Sequence, residues 1–83
     1  MDIQINDYSS SNDEQISGVY SGGVINQAKL IVNGTVLSTG GDFDNGTFTY
    51  WVGASILTVS DNVQLEFYSD GSLVQIKTLK IIG

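Results

Sequence analysis

The sequence predicts an all-β fold of two packed sheets, and three observations carry that expectation. Ten Gly punctuate 83 residues, and no apolar stripe of helical period survives between them. Three dipeptides suited to tight hairpins, Asn33-Gly34, Asn45-Gly46 and Asp70-Gly71, sit between alternating runs. Seven such runs are separated by turn signals about every 8–12 residues, the spacing of an all-β sandwich or small barrel.

Ile3-Gln4-Ile5 opens the chain as a short strand. Asn6 to Asp13 is polar and turn-rich, with Tyr8 its one large apolar anchor. Glu14 to Tyr20 reads as the second strand, with Ile16, Gly18 and Tyr20 on one face. A Gly inside a strand marks the close approach of a bulky neighbour. Ser21-Gly22-Gly23 breaks the pattern. Gln27 to Val32 is the third strand, with Ala28, Leu30 and Val32 on one face and Lys29 and Ile31 on the other. Asn33-Gly34 turns the chain, because both central residues of a type I′ turn need positive φ. Thr35 to Ser38 pairs back as the fourth strand, and Gly40-Gly41 ends it.

Asn45-Gly46 introduces the fifth strand, Thr47 to Val52, where Phe48, Tyr50 and Val52 share a face and Trp51 lies on the other. Ile56-Leu57 and Val59 form a connection before Asp61-Asn62. In the sixth strand Val63, Leu65 and Phe67 alternate with Gln64, Glu66 and Tyr68. After Asp70-Gly71 the last run, Leu73 to Ile82, changes face: Val74 and Ile76 are even, Leu79 and Ile81 odd. A bulge near Lys77-Thr78 would reconcile them. A long first loop followed by tight hairpins favours an early crossover between sheets over a meander. No repeat occurs within the chain, so it is at most one unit of an array.

Composition excludes several functions. Three Lys face nine acids, a net charge of −6, and there is no Arg, His, Cys or Pro. Without His or Cys there is no Ser-His or Cys-His nucleophile pair, no zinc site of the usual kind and no disulfide. Three cations cannot make a phosphate-reading surface, so no nucleic-acid partner is expected. No run of 18 apolar residues exists for a helix to cross a membrane, and no membrane partner is expected. Met1 leads straight into Asp-Ile-Gln-Ile with no signal peptide, so an exported parent protein would make this chain an excised piece.

Four constellations are candidates for chemistry. Asp42-Phe43-Asp44-Asn45-Gly46 resembles the start of a calcium loop, but its Gly comes one residue early and Val52 stands where a bidentate acid belongs. A solvated hairpin loop is the preferred reading. Asn33-Gly34-Thr35 and Asn45-Gly46-Thr47 match the glycosylation sequon, yet turn and strand chemistry already explain them. Lys29, Lys77 and Lys80 are the only lysines for a Lys–Asn crosslink, and each is expected to point outward. Alternation turns Trp51, Tyr68 and Ile31 away from the core, a possible platform for carbohydrate or for a neighbouring domain. Against that, small sandwiches often centre on one large aromatic, and a core Trp51 is the preferred reading. No catalytic, cofactor-binding or metal-ligating residue is assigned, and no cofactor is expected.

The ordered motifs resemble a family. Glu14-Gln15-Ile16-Ser17-Gly18-Val19-Tyr20-Ser21-Gly22 is similar to the Ile-Ser/Thr-Gly-x-Tyr-x-Gly segment of bacterial immunoglobulin-like repeat domains. Ala28 to Gly34 resembles their Leu-x-Val-Asn-Gly strand and turn, and Gly40-Gly41 through Asn45-Gly46-Thr47-Phe48-Thr49-Tyr50 a following segment. Val63 through Tyr68-Ser69-Asp70-Gly71 resembles their late hairpin. The likeness runs from Ile3 to Ile82.

The resemblance implies a seven-stranded immunoglobulin-like β-sandwich spanning 1–83 as one domain of a tandem-repeat protein. The core expected within it is Ile3, Ile5, Ile16, Tyr20, Leu30, Val32, Phe48, Tyr50, Leu65, Phe67, Leu79 and Ile81. Such domains occur in secreted and cell-wall-anchored proteins of Gram-positive bacteria, including internalin-like and adhesin-like proteins. The implied role is a non-catalytic structural spacer at the extracellular bacterial cell surface, with neighbouring repeats as partners. The alternative is a binding module that contacts a host protein or glycan. The isolated domain is expected to be a monomer.

Overall fold

Three two-residue turns frame the chain. Asn33, Asn45 and Asp70 have φ of 52°, 49° and 49°, and the Gly after each has φ of 85°, 81° and 84°. Paired positive φ values are those of type I′ turns, whose twist matches the strands they join. The computed structural model describes residues 1–53 and 56–83, and these form strands without a helix. In chain order they are β1 (Asp2–Ile5), β2 (Tyr8–Ser9), β3 (Gln15–Ser21), β4 (Gln27–Val32) and β5 (Thr35–Gly40). There follow β6 (Asp42–Asp44), β7 (Thr47–Trp51), β8 (Val63–Ser69), β9 (Ser72–Thr78) and β10 (Ile81–Ile82).

One antiparallel sheet has the order β1-β3-β7-β6 and the other β5-β4-β8-β9. The two pack as a sandwich. In letters this is A-B-E-D against C-F-G with one further strand beside C, the order of an immunoglobulin-type sandwich. Strand β2 leaves the first sheet and pairs in parallel with β10, Tyr8 beside Ile81 and Ser9 beside Ile82.

Alternation fills the space between the sheets. Ile3, Ile16, Phe48 and Tyr50 come from one inner face, and Ala28, Leu30, Val63, Leu65 and Phe67 from the other. Phe48 meets Phe67 edge-on across the sandwich at 5.1 Å between ring centroids, and Phe43 and Tyr20 extend the cluster along the first sheet. Gly18 makes room for it. A Cβ there would lie 2.7 Å from the Phe48 ring and would strike the Gln4 carbonyl oxygen. Of the expected core, Ile5, Tyr20, Val32 and Ile81 are only partly buried, at its margin.

Tyr8, Ile25 and Leu57 were not expected in the core, yet all are buried. They lie outside long alternating runs, where period gives no phase. Tyr8 is the clearest case. Its ring enters the core from β2 and its hydroxyl donates to the Asp13 carbonyl at 2.9 Å.

Four expectations need correction. Among the described residues the strands number ten and not seven, because β2 and β6 are too short to show a period and the last run divides into β9 and β10. The first crossing between sheets follows β3, while the long first loop serves to carry β2 to β10. The bulge of the last run is not at Lys77-Thr78. Tyr68 pairs with Leu73 and Phe67 with Gln75, which leaves Val74 as the extra residue. Gln75 and Lys77 therefore share the inner phase with Leu79, and Lys77 is half-buried opposite Leu65 at the sheet edge instead of pointing outward.

Candidate functional site

Asp42 and Asp44 fall in the extended strand β6 and not in a loop. Two residues apart in a strand, they share one face, with Cα atoms separated by roughly 7 Å. Among the described residues no group of three or more His, Cys, Asp or Glu is placed to hold a metal ion.

The two Asn-Gly turns differ in their ties. The Asn33 amide donates to the Asp61 carboxylate at 3.1 Å and accepts from the Asn62 backbone N–H at 2.9 Å. The same Asp61 carboxylate caps Thr58 by accepting its N–H at 3.0 Å. The Thr58 N–H first, and the Asn33 amide second, hold the Asp61 carboxyl below its ordinary value. Asn26 makes a similar clasp on the turn at Asp70, donating to its carboxylate at 2.9 Å.

The alternative of one aromatic platform built from Trp51, Tyr68 and Ile31 does not assemble. Trp51 lies on the outer face of the first sheet, while Ile31 and Tyr68 lie on the outer face of the second. There Lys29 sits 5.0 Å from the Tyr68 ring centroid, a cation–π contact, and the Tyr68 hydroxyl donates to Glu66 at 2.7 Å. That bond first, and desolvation second, push the Tyr68 phenol up. Tyr8 is also pushed up, by burial first and then by the charges of Asp13 and Glu14.

Trp51 is not the core aromatic: it is 62% exposed. The β7 phase decides this, because Phe48 and Tyr50 take the inner positions and the next residue must point out. Gln15 is its cross-strand partner, and the Glu14 carbonyl accepts the N–H groups of both Val52 and Gly53. The Trp51 backbone is thus held rigidly while the indole remains in solvent. The indole borders two open depressions. One, of 420 Å³, runs along Asn12, Asp13, Glu14, Gln15 and Ser17. The other, of 270 Å³, lies toward Thr39, Gly41 and Asp42, with Tyr50 beneath, its hydroxyl 2.7 Å from the Ser38 hydroxyl.

A family model for bacterial Ig domains matches residues 1–83. The chain is a bacterial Ig domain. No curated protein and no solved structure matches it. The segments that carry the likeness lie on structural positions of this bacterial Ig domain: Gly18 under Phe48, and Asn33-Gly34, Asn45-Gly46 and Asp70-Gly71 in turns. The surface around Trp51 lies apart from those motifs. Asn12, Gln15 and Thr39 were not singled out by sequence reasoning, and only the outward phase of Gln15 and Trp51 hinted at their meeting.

Proposed function

We infer that this bacterial Ig domain is a non-catalytic structural spacer of a bacterial cell-surface or secreted protein. It is one copy of a tandem array that extends or presents an adhesive region. One observation carries the reading: the two chain ends leave from opposite ends of the sandwich. Met1 lies against Gly22 and Gly23, where β3 finishes, and its carbonyl accepts from Gln75 at 2.6 Å. Gly83 lies at the start of β3, its carbonyl accepting from the Ser9 hydroxyl at 3.1 Å. The seven residues of β3 separate the two by roughly 20 Å. Copies joined in series would therefore stack end to end, each a molecule whose longest extent is 32 Å. The lack of His and Cys, and the membership of a family of surface modules, support the non-catalytic role and the extracellular setting.

The test is a three-copy chain measured by small-angle X-ray scattering. The expected maximum dimension grows by about one 32 Å domain length with each added copy. A three-copy chain that folds back to the compactness of a globule would overturn the spacer reading.

A further inference from the structure

We propose that Trp51 and the depressions on its two flanks form a binding site for a neutral oligosaccharide. The indole is the largest side chain exposed on the molecule, and the fold does not need it there. Its backbone is paired with β3, so the indole is presented from a defined point on the outer face of the sheet. An indole presents a flat apolar face, and the C–H face of a sugar ring is flat and apolar in the same way. A sugar also carries hydroxyls around its rim that both donate and accept hydrogen bonds.

The lining matches that rim. The amides of Asn12 and Gln15 and the hydroxyl of Thr39 donate and accept, and the carboxylates of Glu14 and Asp42 accept. The depressions lie on either flank of one indole, so a chain of sugars can cross it with polar contacts on both sides. Charge narrows the ligand further. No lysine lines either depression and three carboxylates, Asp13, Glu14 and Asp42, do, so acidic sugars and phosphates are repelled. A basic peptide would be attracted by the carboxylates. A lysine peptide is therefore the competing ligand against which the sugars are tested.

The chain holds a single Trp, so its fluorescence reports this site alone. The 83-residue protein is titrated with chitotetraose, cellotetraose, laminaritetraose and maltotetraose, and separately with a lysine decapeptide. At least one tetrasaccharide is expected to give a saturable change in emission. Amide resonances of residues 12–17 and 38–42 are expected to move in the same titration. Trp51→Ala is expected to weaken binding, followed by NMR, by about tenfold or more, as for truncation of a central aromatic anchor. Its circular dichroism and Tm should match those of the parent protein, because the indole is outside the core. The proposal is overturned if no tetrasaccharide gives saturation up to about 10 mM, a Kd too weak to represent a site. It is equally overturned if only the lysine peptide binds, or if Trp51→Ala binds sugar as the parent does.

Discussion

Gly18 stands opposite Phe48 in the register of β3 and β7, with Ile5 on its other side. Its missing side chain is what lets the Phe48 ring lie across the strand. Gly18→Ala puts a methyl group into the ring and the Gln4 carbonyl, neither of which can retreat without moving a strand. The expected cost is about 2 kcal/mol or more, read from the urea midpoint. A loss below about 0.5 kcal/mol would mean that the aromatic cluster is loosely packed. Asp61 gives a second residue-level prediction. Its carboxyl titrates lower in the folded protein than the ordinary 3.8, because the charged form accepts the bonds from Thr58 and Asn33. The stabilisation is therefore present above pH 3.8 and disappears as the pH falls through the lower folded value. Asp61→Ala should lower the urea midpoint at neutral pH, and the gap from the parent should close progressively in acid. A gap of constant size from neutral to acid pH would show that the charge plays no part.

At the level of elements, the most consequential pairing is also the shortest. β2 and β10 run parallel, and they follow the N-terminal strand and precede the C-terminus. Tension between Met1 and Gly83 would slide one past the other. That motion loads the bonds from the Tyr8 N–H to the Lys80 carbonyl and from the Ser10 N–H to the Ile82 carbonyl together, in shear. Ser10→Pro deletes one of these donors. It should lower the unfolding force of a tandem chain in single-molecule pulling, while costing about 1 kcal/mol at equilibrium. An unchanged force would place the mechanical resistance elsewhere, for instance in the β1–β3 pair. The outer strands of the second sheet share another device. β5 has Leu37 as an extra residue opposite β4, and β9 has Val74 opposite β8. Bulges of this kind twist an edge away from the flat geometry that a further strand would need.

For the whole molecule, charge and edges act in the same direction. Six net negative charges on 83 residues make like molecules repel, and the bulged edges offer poor templates for pairing. We expect the isolated domain to sediment as a monomer at low salt. Added salt shortens the screening length from about 10 Å at 0.1 M to about 3 Å at 1 M. Any weak self-association through exposed Val36 and Leu37 should therefore strengthen with salt. A stable dimer at low salt would contradict this account.

The features legible in the sequence were those that rest on neighbouring residues. Positive φ at Asn33-Gly34, Asn45-Gly46 and Asp70-Gly71 is a demand of a two-residue turn, so the dipeptides reveal the hairpins by themselves. A period of two orients Leu30, Phe48, Leu65 and Phe67 inward, and the same period turns Trp51 outward, against the expectation of a core Trp. The tertiary structure decided whatever depends on partners remote in the chain. Tyr8 is buried because β2 meets β10, more than seventy residues later, and no local pattern signals a two-residue strand. Lys77 faces inward because Val74 is an extra residue in register with β8, and a bulge is a property of two strands, not of one. The surface around Trp51 exists because β3, β5, β6 and β7 converge there. Residues 12–17 and 38–42 carry no mark of that meeting, since their side chains are ordinary surface polar groups until the fold places them beside one indole.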